Sequence, residues 1–99
     1  MELNEIRTKI DSIDSAIVHL LAQRSELVRA AGKLKKDEQG VRDQKRVEQV
    51  IEKVRAKAVD AGLAPDIAEQ IYRTIISCFV AKELDEFKSI NERVPNKSV

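Results

Sequence analysis

Near the start of the chain, over thirty-two residues, an apolar period runs without a slip: Leu3, Ile6, Ile10, Ile13, Ile17, Leu20, Arg24, Leu27, Ala31 and Leu34 alternate steps of three and four. This is the pattern of a helix that lies against a neighbour along its whole length. At ~1.5 Å per residue, a helix over 3–34 approaches a length of about 50 Å. A compact chain of this size has a radius of gyration of only ~13 Å. Such a helix overhangs any core that one chain can build, and the simplest cover for the surplus stripe is the same helix from a two-fold related copy. The pattern therefore predicts a homodimer of helical chains.

Two further helices follow. The charged run KKDEQGVR, Lys35 to Arg42, contains Gly40 and is expected to be a loop. Asp43 offers an N-cap for a second helix with Val47, Val50, Ile51, Val54, Ala58 and Ala61 on one face, and Gly62 closes it. Pro65 suits the first turn of a third helix, whose broad stripe is Ile67, Ile71, Ile75, Ile76, Phe79, Val80, Leu84 and Phe87. The predicted fold is all-α, with one long and two shorter helices per chain in an intertwined homodimeric bundle. Residues 1–91 form the helical domain, and 92–99, with Pro95, form a polar, flexible tail.

Composition removes several functions. Eighteen basic and 17 acidic residues leave a formal charge of +1, without the basic excess that duplex nucleic acid demands. Tyr72, Phe79 and Phe87 are the only aromatics, too few for a base-stacking platform. No apolar run is long enough for a membrane span or a secretory core, so the cytoplasm is the expected location. A single cysteine, Cys78, and a single histidine, His19, argue against disulfides, Cys/His catalysis and a His-based metal cluster. Cys78 is expected to be a small packed hydrophobe. Neither a metal nor a cofactor is expected.

Four charged residues stand out against the apolar pattern. Arg24 takes an apolar position of the first repeat, where its guanidinium needs an anionic counterpart from protein or ligand. Lys35, eleven residues later, returns to within ~20° of the same face, so the two side chains can converge on one ligand. Arg7 lies ~25 Å before Arg24 along a straight helix, beyond shared reach unless an antiparallel second copy brings one chain's Arg7 to the other's Arg24. Glu83 sits on or beside the third stripe, one turn from both Phe79 and Phe87. Buried there and protonated, it could donate a hydrogen bond.

Three segments, IRTKIDSIDSAIVHLLAQRSELVRAAGKLK, VRDQKRVEQVI and IISCFVAKEL, together make the chain similar to the all-helical, type II chorismate mutases and to their near relatives, the isochorismate pyruvate lyases. The resemblance covers almost the whole span from Leu3 to Phe87. It implies a dimer with interlocked long helices and two sites, each drawing Arg7 from one subunit and Arg24, Lys35 and Arg46 from the other. By the same resemblance, Arg7 and Arg24 clamp carboxylates, and Lys35 meets a carboxylate and the ether oxygen of the breaking bond. Asp43 and Arg46 belong to the rim near the ring hydroxyl and the side-chain carboxylate. Lys35, Glu83 and Arg24 are thus the expected catalytic groups.

The implied reaction is the Claisen rearrangement of chorismate to prephenate in aromatic amino-acid biosynthesis. It is a concerted step that needs positioning and electrostatic stabilisation and no protein nucleophile. Two positions depart from the family pattern. Glu83 stands where many bacterial members carry a glutamine that donates to the ether oxygen. Val47 stands where many mutases hold the ring hydroxyl with a glutamate, and this Arg-Val pair resembles the lyases. The lyase reaction, isochorismate to salicylate and pyruvate, is the alternative activity, although the Val-Arg-Asp run favours a mutase. A non-catalytic helical dimer with structural arginines is a further alternative. The resemblance also leaves room for a regulatory partner enzyme.

Overall fold

The computed structural model describes residues 1–34, 40 and 43–93. It contains three helices, which we label α1 (Leu3–Gly32), α2 (Gln44–Ala61) and α3 (Pro65–Arg93), and no strand among the described residues. The fold is all-α. The chain divides into two compact units, Met1–Lys33 and Leu34–Val99, each of which has its own construction. None of the described helices is long and apolar enough to cross a membrane.

α1 is unbroken over its 30 residues. Glu5 in its first turn and Arg29 in its last complement the helix dipole, although the N-cap residue Glu2 contributes no side-chain hydrogen bond. None of its residues is buried. Leu20 is 61% exposed and Leu27 72% exposed, so the regular apolar repeat stands open, and Arg24 within it is half-buried.

The second unit is an antiparallel hairpin whose ends follow from its sequence. Asp43 accepts a 3.1 Å hydrogen bond from the Arg46 backbone N–H and so caps α2. At the other end Gly62 takes the left-handed conformation, with φ 79°. Its N–H donates to the Val59 carbonyl, and the Leu63 N–H donates to the Ala58 carbonyl at 2.8 Å. These paired bonds satisfy the last carbonyls of α2 and turn the chain. Pro65 then opens α3, where its missing N–H costs nothing, while the Ala64 carbonyl accepts from Ile67 and Ala68.

Ile51, Ala58, Ala68 and Leu84 form the buried seam of the hairpin unit. Along its flank runs a ladder of ion pairs. Arg55 reaches Asp66 at 2.8 Å and Glu69 at 2.9 Å, and Arg73 reaches Glu69 at 2.8 Å and Glu48 at 3.1 Å. Hydrogen bonds from Arg73 are the leading cause that holds the carboxyls of both Glu48 and Glu69 below their ordinary value of 4.5. A lowered folded value means that the stability these carboxylates add is present above the ordinary value and fades as pH falls through the lower one. Arg55–Glu69 is part-buried and the other pairs are exposed, so solvent and salt screen most of this ladder.

Several expectations are corrected by this packing. Ile67 and Ile71, placed on the stripe, are 51% and 49% exposed, whereas Ala68 is 4% exposed. At the start of α3 the buried position is one residue on, at a small side chain, whereas farther along Leu84 is buried where the stripe placed it. Ala61 is exposed because α2 is already turning at Gly62. Cys78 is exposed too, since it lies off the face that carries Ile75, Ile76, Phe79 and Val80. α3 continues to Arg93, two residues past the expected end of the helical domain, and at 29 residues nearly matches α1. No glycine or proline interrupts it before Pro95. Gly40, expected in a loop, is helical; the rest of the expected loop at 35–42 and the tail beyond Arg93 lie outside the described residues.

Two substitutions test this account. Ile51→Ala, at a site only 3% exposed, should cost about 2–5 kcal/mol. Gly62→Ala should cost about 1 kcal/mol, although a Cβ there would meet nothing within 4 Å, because the left-handed backbone strains any L residue. Urea unfolding measures both, and a Gly62→Ala variant as stable as wild type would contradict the capping role.

Candidate functional site

A groove of about 480 Å³ opens where the first turn of α2 meets α3. Its size falls within the ~300–1,000 Å³ usual for small-molecule sites. Val47, Ile76, Val80, Ala81 and Leu84 give it apolar walls, and Gln44, Arg73 and Ser77 add polar groups. Spacing on α3 explains the lining: Ile76, Val80 and Leu84 are successive i, i+4 positions on one helix face. Val47 thus presents methyl groups where a glutamate would have placed a carboxylate.

Among the described residues, three of the expected site residues belong to this unit. Asp43 and Arg46 share the first turn of α2, joined by the capping bond, and Arg46 immediately precedes Val47. The Asp43 carboxylate is therefore already engaged in holding the helix terminus. Glu83, adjacent to the groove residue Leu84, is a buried acid, 8% exposed. Among the described residues, no buried side-chain nitrogen or oxygen lacks a hydrogen-bond partner, so its carboxyl is held by the protein.

Arg7 and Arg24 belong to α1. Because that helix is unbroken between them, they stand ~25 Å apart along its axis and cannot grip one small molecule from a single chain. Arg7 is exposed and Arg24 half-buried. Lys35 lies outside the described residues. No described carboxylate pairs with the guanidinium of Arg7 or of Arg46, which leaves both able to meet an anion from outside the chain.

The sequence reading missed Arg73 and Gln44 as groove residues. Arg73 donates from Nη1 and Nη2 to the two Glu48 oxygens and from Nε to Glu69. Its i−4 relation to Glu69 was visible in the sequence, but its reach to Glu48, 25 residues away, depends on the register of the hairpin.

The described residues thus define an all-α protein with a groove of small-molecule size between two of its helices. Comparison with known families narrows this class. The family model for chorismate mutase type II matches residues 6–84, and the chain belongs to that family. It is 33% identical over 92 residues to the T-protein of Enterobacter agglomerans, covering 90% of this chain and 24% of that protein. The T-protein of Haemophilus influenzae is 32% identical over 95 residues, covering 93% of this chain and 25% of its own length. The chain thus spans about a quarter of the T-proteins it matches. Isochorismate pyruvate lyase of Pseudomonas aeruginosa is 30% identical over 82 residues, covering 83% of this chain and 81% of the lyase.

The cap can be separated from any role of the Asp43 charge. Asp43→Ala should lose about 1 kcal/mol in urea unfolding, whereas Asp43→Asn, which still accepts from the Arg46 N–H, should stay within about 0.3 kcal/mol of wild type. Equal losses in the two variants would assign the stabilisation to charge instead of capping.

Proposed function

We propose that this chain is a chorismate mutase that converts chorismate to prephenate. One observation carries the reading: the family match over residues 6–84 contains Arg7, Arg24, Lys35, Asp43, Arg46 and Glu83, all the residues to which the resemblance gives a role. The reaction breaks an ether C–O bond as a new C–C bond forms, within one molecule and without proton transfer. A protein accelerates such a step by holding the reactive conformer and by placing donors where charge grows on the ether oxygen.

In this reading Arg7 and Arg24 take the substrate carboxylates through paired N–H donors. Lys35 serves a carboxylate and the ether oxygen, and Asp43 and Arg46 form the rim. Glu83 donates to the ether oxygen and can do so only while its carboxyl keeps its proton, since the ionised form would repel that oxygen. The working unit is a cytoplasmic homodimer of the 1–91 helical domain. Pairing of two α1 helices would cover the open stripe and bring the Arg7 of one chain to the Arg24 of the other. Against a purely structural role for these cations stand the unpaired guanidiniums of Arg7 and Arg46.

Isochorismate pyruvate lyase is the second reading, favoured by a specific feature. Val47 lines the groove without a carboxylate for a ring hydroxyl, and the lyase relative is matched over most of both chains.

Product analysis separates the two readings. Wild-type protein given chorismate should form prephenate, with little salicylate from isochorismate; efficient salicylate formation without prephenate would replace the first reading by the second. Glu83→Ala should lower kcat by about 100-fold, as loss of a transition-state donor does. Glu83→Gln, which keeps a hydrogen-bond donor at that position, should retain turnover that Glu83→Ala loses; equal loss in both variants would remove Glu83 from the donor role. Ile13→Asp, in the open stripe of α1, should shift the protein to monomers in sedimentation and abolish turnover.

A further inference from the structure

We propose that Arg73 is a positioning residue for the candidate site: by gripping Glu48 across the hairpin it sets the first turn of α2, and thereby the place where Arg46 meets a substrate carboxylate. The inference rests on the mutase reading above and adds a residue to which that reading gives no part.

Although Arg73 lines the groove, it is poorly suited to bind a ligand itself. Nη1 and Nη2 each donate one N–H to a Glu48 oxygen, at 3.2 and 3.1 Å, and Nε donates to Glu69 at 2.8 Å, which fixes the plane of the guanidinium. A planar guanidinium with all three nitrogens engaged is a brace, fixed in direction by the fork it makes. Its main partner, Glu48, also accepts from Gln44 Nε2 at 2.9 Å. Gln44 is the first residue of α2, directly after the Asp43 cap. Arg73, Glu48 and Gln44 therefore form one continuous line from the wall of the groove to the start of the helix, spanning the turn that carries Arg46 and Val47.

That turn needs a brace. Helix ends open more readily than helix centres, and no buried residue of α2 precedes Ile51. Local opening would swing Arg46 and move the Val47 wall together. Arg55 supplies an internal comparison. It makes the same kind of bridge, to Asp66 and Glu69, but joins the middle of α2 to the start of α3, away from the groove. The arginine side chains are 39% and 42% exposed, so loss of either bridge should leave the fold standing.

The experiment compares the full chain with Arg73→Lys and Arg55→Lys. Lysine keeps the charge but cannot bridge both Glu48 oxygens and Glu69 at once. The first readout is amide exchange at Arg46 and Val47, whose N–H groups are bound by Asp43. Exchange should quicken about threefold in Arg73→Lys and remain unchanged in Arg55→Lys. The second is kinetics with chorismate: KM should rise about fivefold in Arg73→Lys, with kcat within about twofold, and both should be unchanged in Arg55→Lys. Adding Glu48→Gln to Arg73→Lys should bring no further rise in KM, as expected for two members of one interaction. Wild-type turnover with the same KM in all three proteins overturns the inference alone, as does an equal effect of both arginine variants. No turnover by wild type removes the mutase reading, and this inference with it.

Discussion

None of the thirty residues of α1 is buried, most of its apolar repeat stands open, and a helix left to its own hydrogen bonds is marginal in water. Something has to cover the stripe of α1, and in the proposed dimer the cover and the site are assembled by the same event. Arg24 sits inside the repeat, so whatever packs along the stripe also surrounds this guanidinium and withdraws it from water. Desolvation raises the cost of leaving it without an anion and strengthens its hold on one that arrives. Stability and ligand capture would then draw on one stretch of sequence.

The hairpin of α2 and α3 is built on the opposite principle. Its ends are fixed by local chemistry at Asp43, Gly62 and Pro65, its seam by the buried side chains of Ile51, Ala58, Ala68 and Leu84, and its flank by alternating charges. Close approach at Ala58 and Ala68 does for this pair what bulky interdigitation does elsewhere. The groove lies where that rigid scaffold meets the start of α2, and its apolar walls suit the carbon skeleton of a compact ring better than they suit a hydrated ion.

Much of the fold was legible in the sequence because it was written in local rules. The unbroken step pattern from Leu3, the cap at Asp43, the left-handed Gly62 and the opening Pro65 each act within a few residues, and the structure has them in place. What could not be read depends on register. Glu48 and Arg73 are 25 residues apart and look like ordinary surface charges until the hairpin closes. The one-residue shift at the start of α3 that buries Ala68 and exposes Ile67 is equally invisible in a stripe broad enough to allow either face. Of the site, the burial of Glu83 agrees with its place beside the third stripe. The parts given to Arg7, Arg24, Lys35, Asp43 and Arg46 came from resemblance, because no physical rule tells a ligand-binding arginine from a structural one on sequence alone.

The turn at Gly62 also bears on how quickly the molecule assembles. With only Gly62, Leu63 and Ala64 between α2 and α3, the two helices need close only a short loop, a step of the order of 10–100 ns for about ten residues. Contacts so near in sequence favour fast folding. In the proposed dimer, burial of the α1 stripe by a second chain would wait for a collision and slow with dilution. A freshly made chain would then pass through a species with its hairpin finished and its long helix still open, for a time governed by protein concentration.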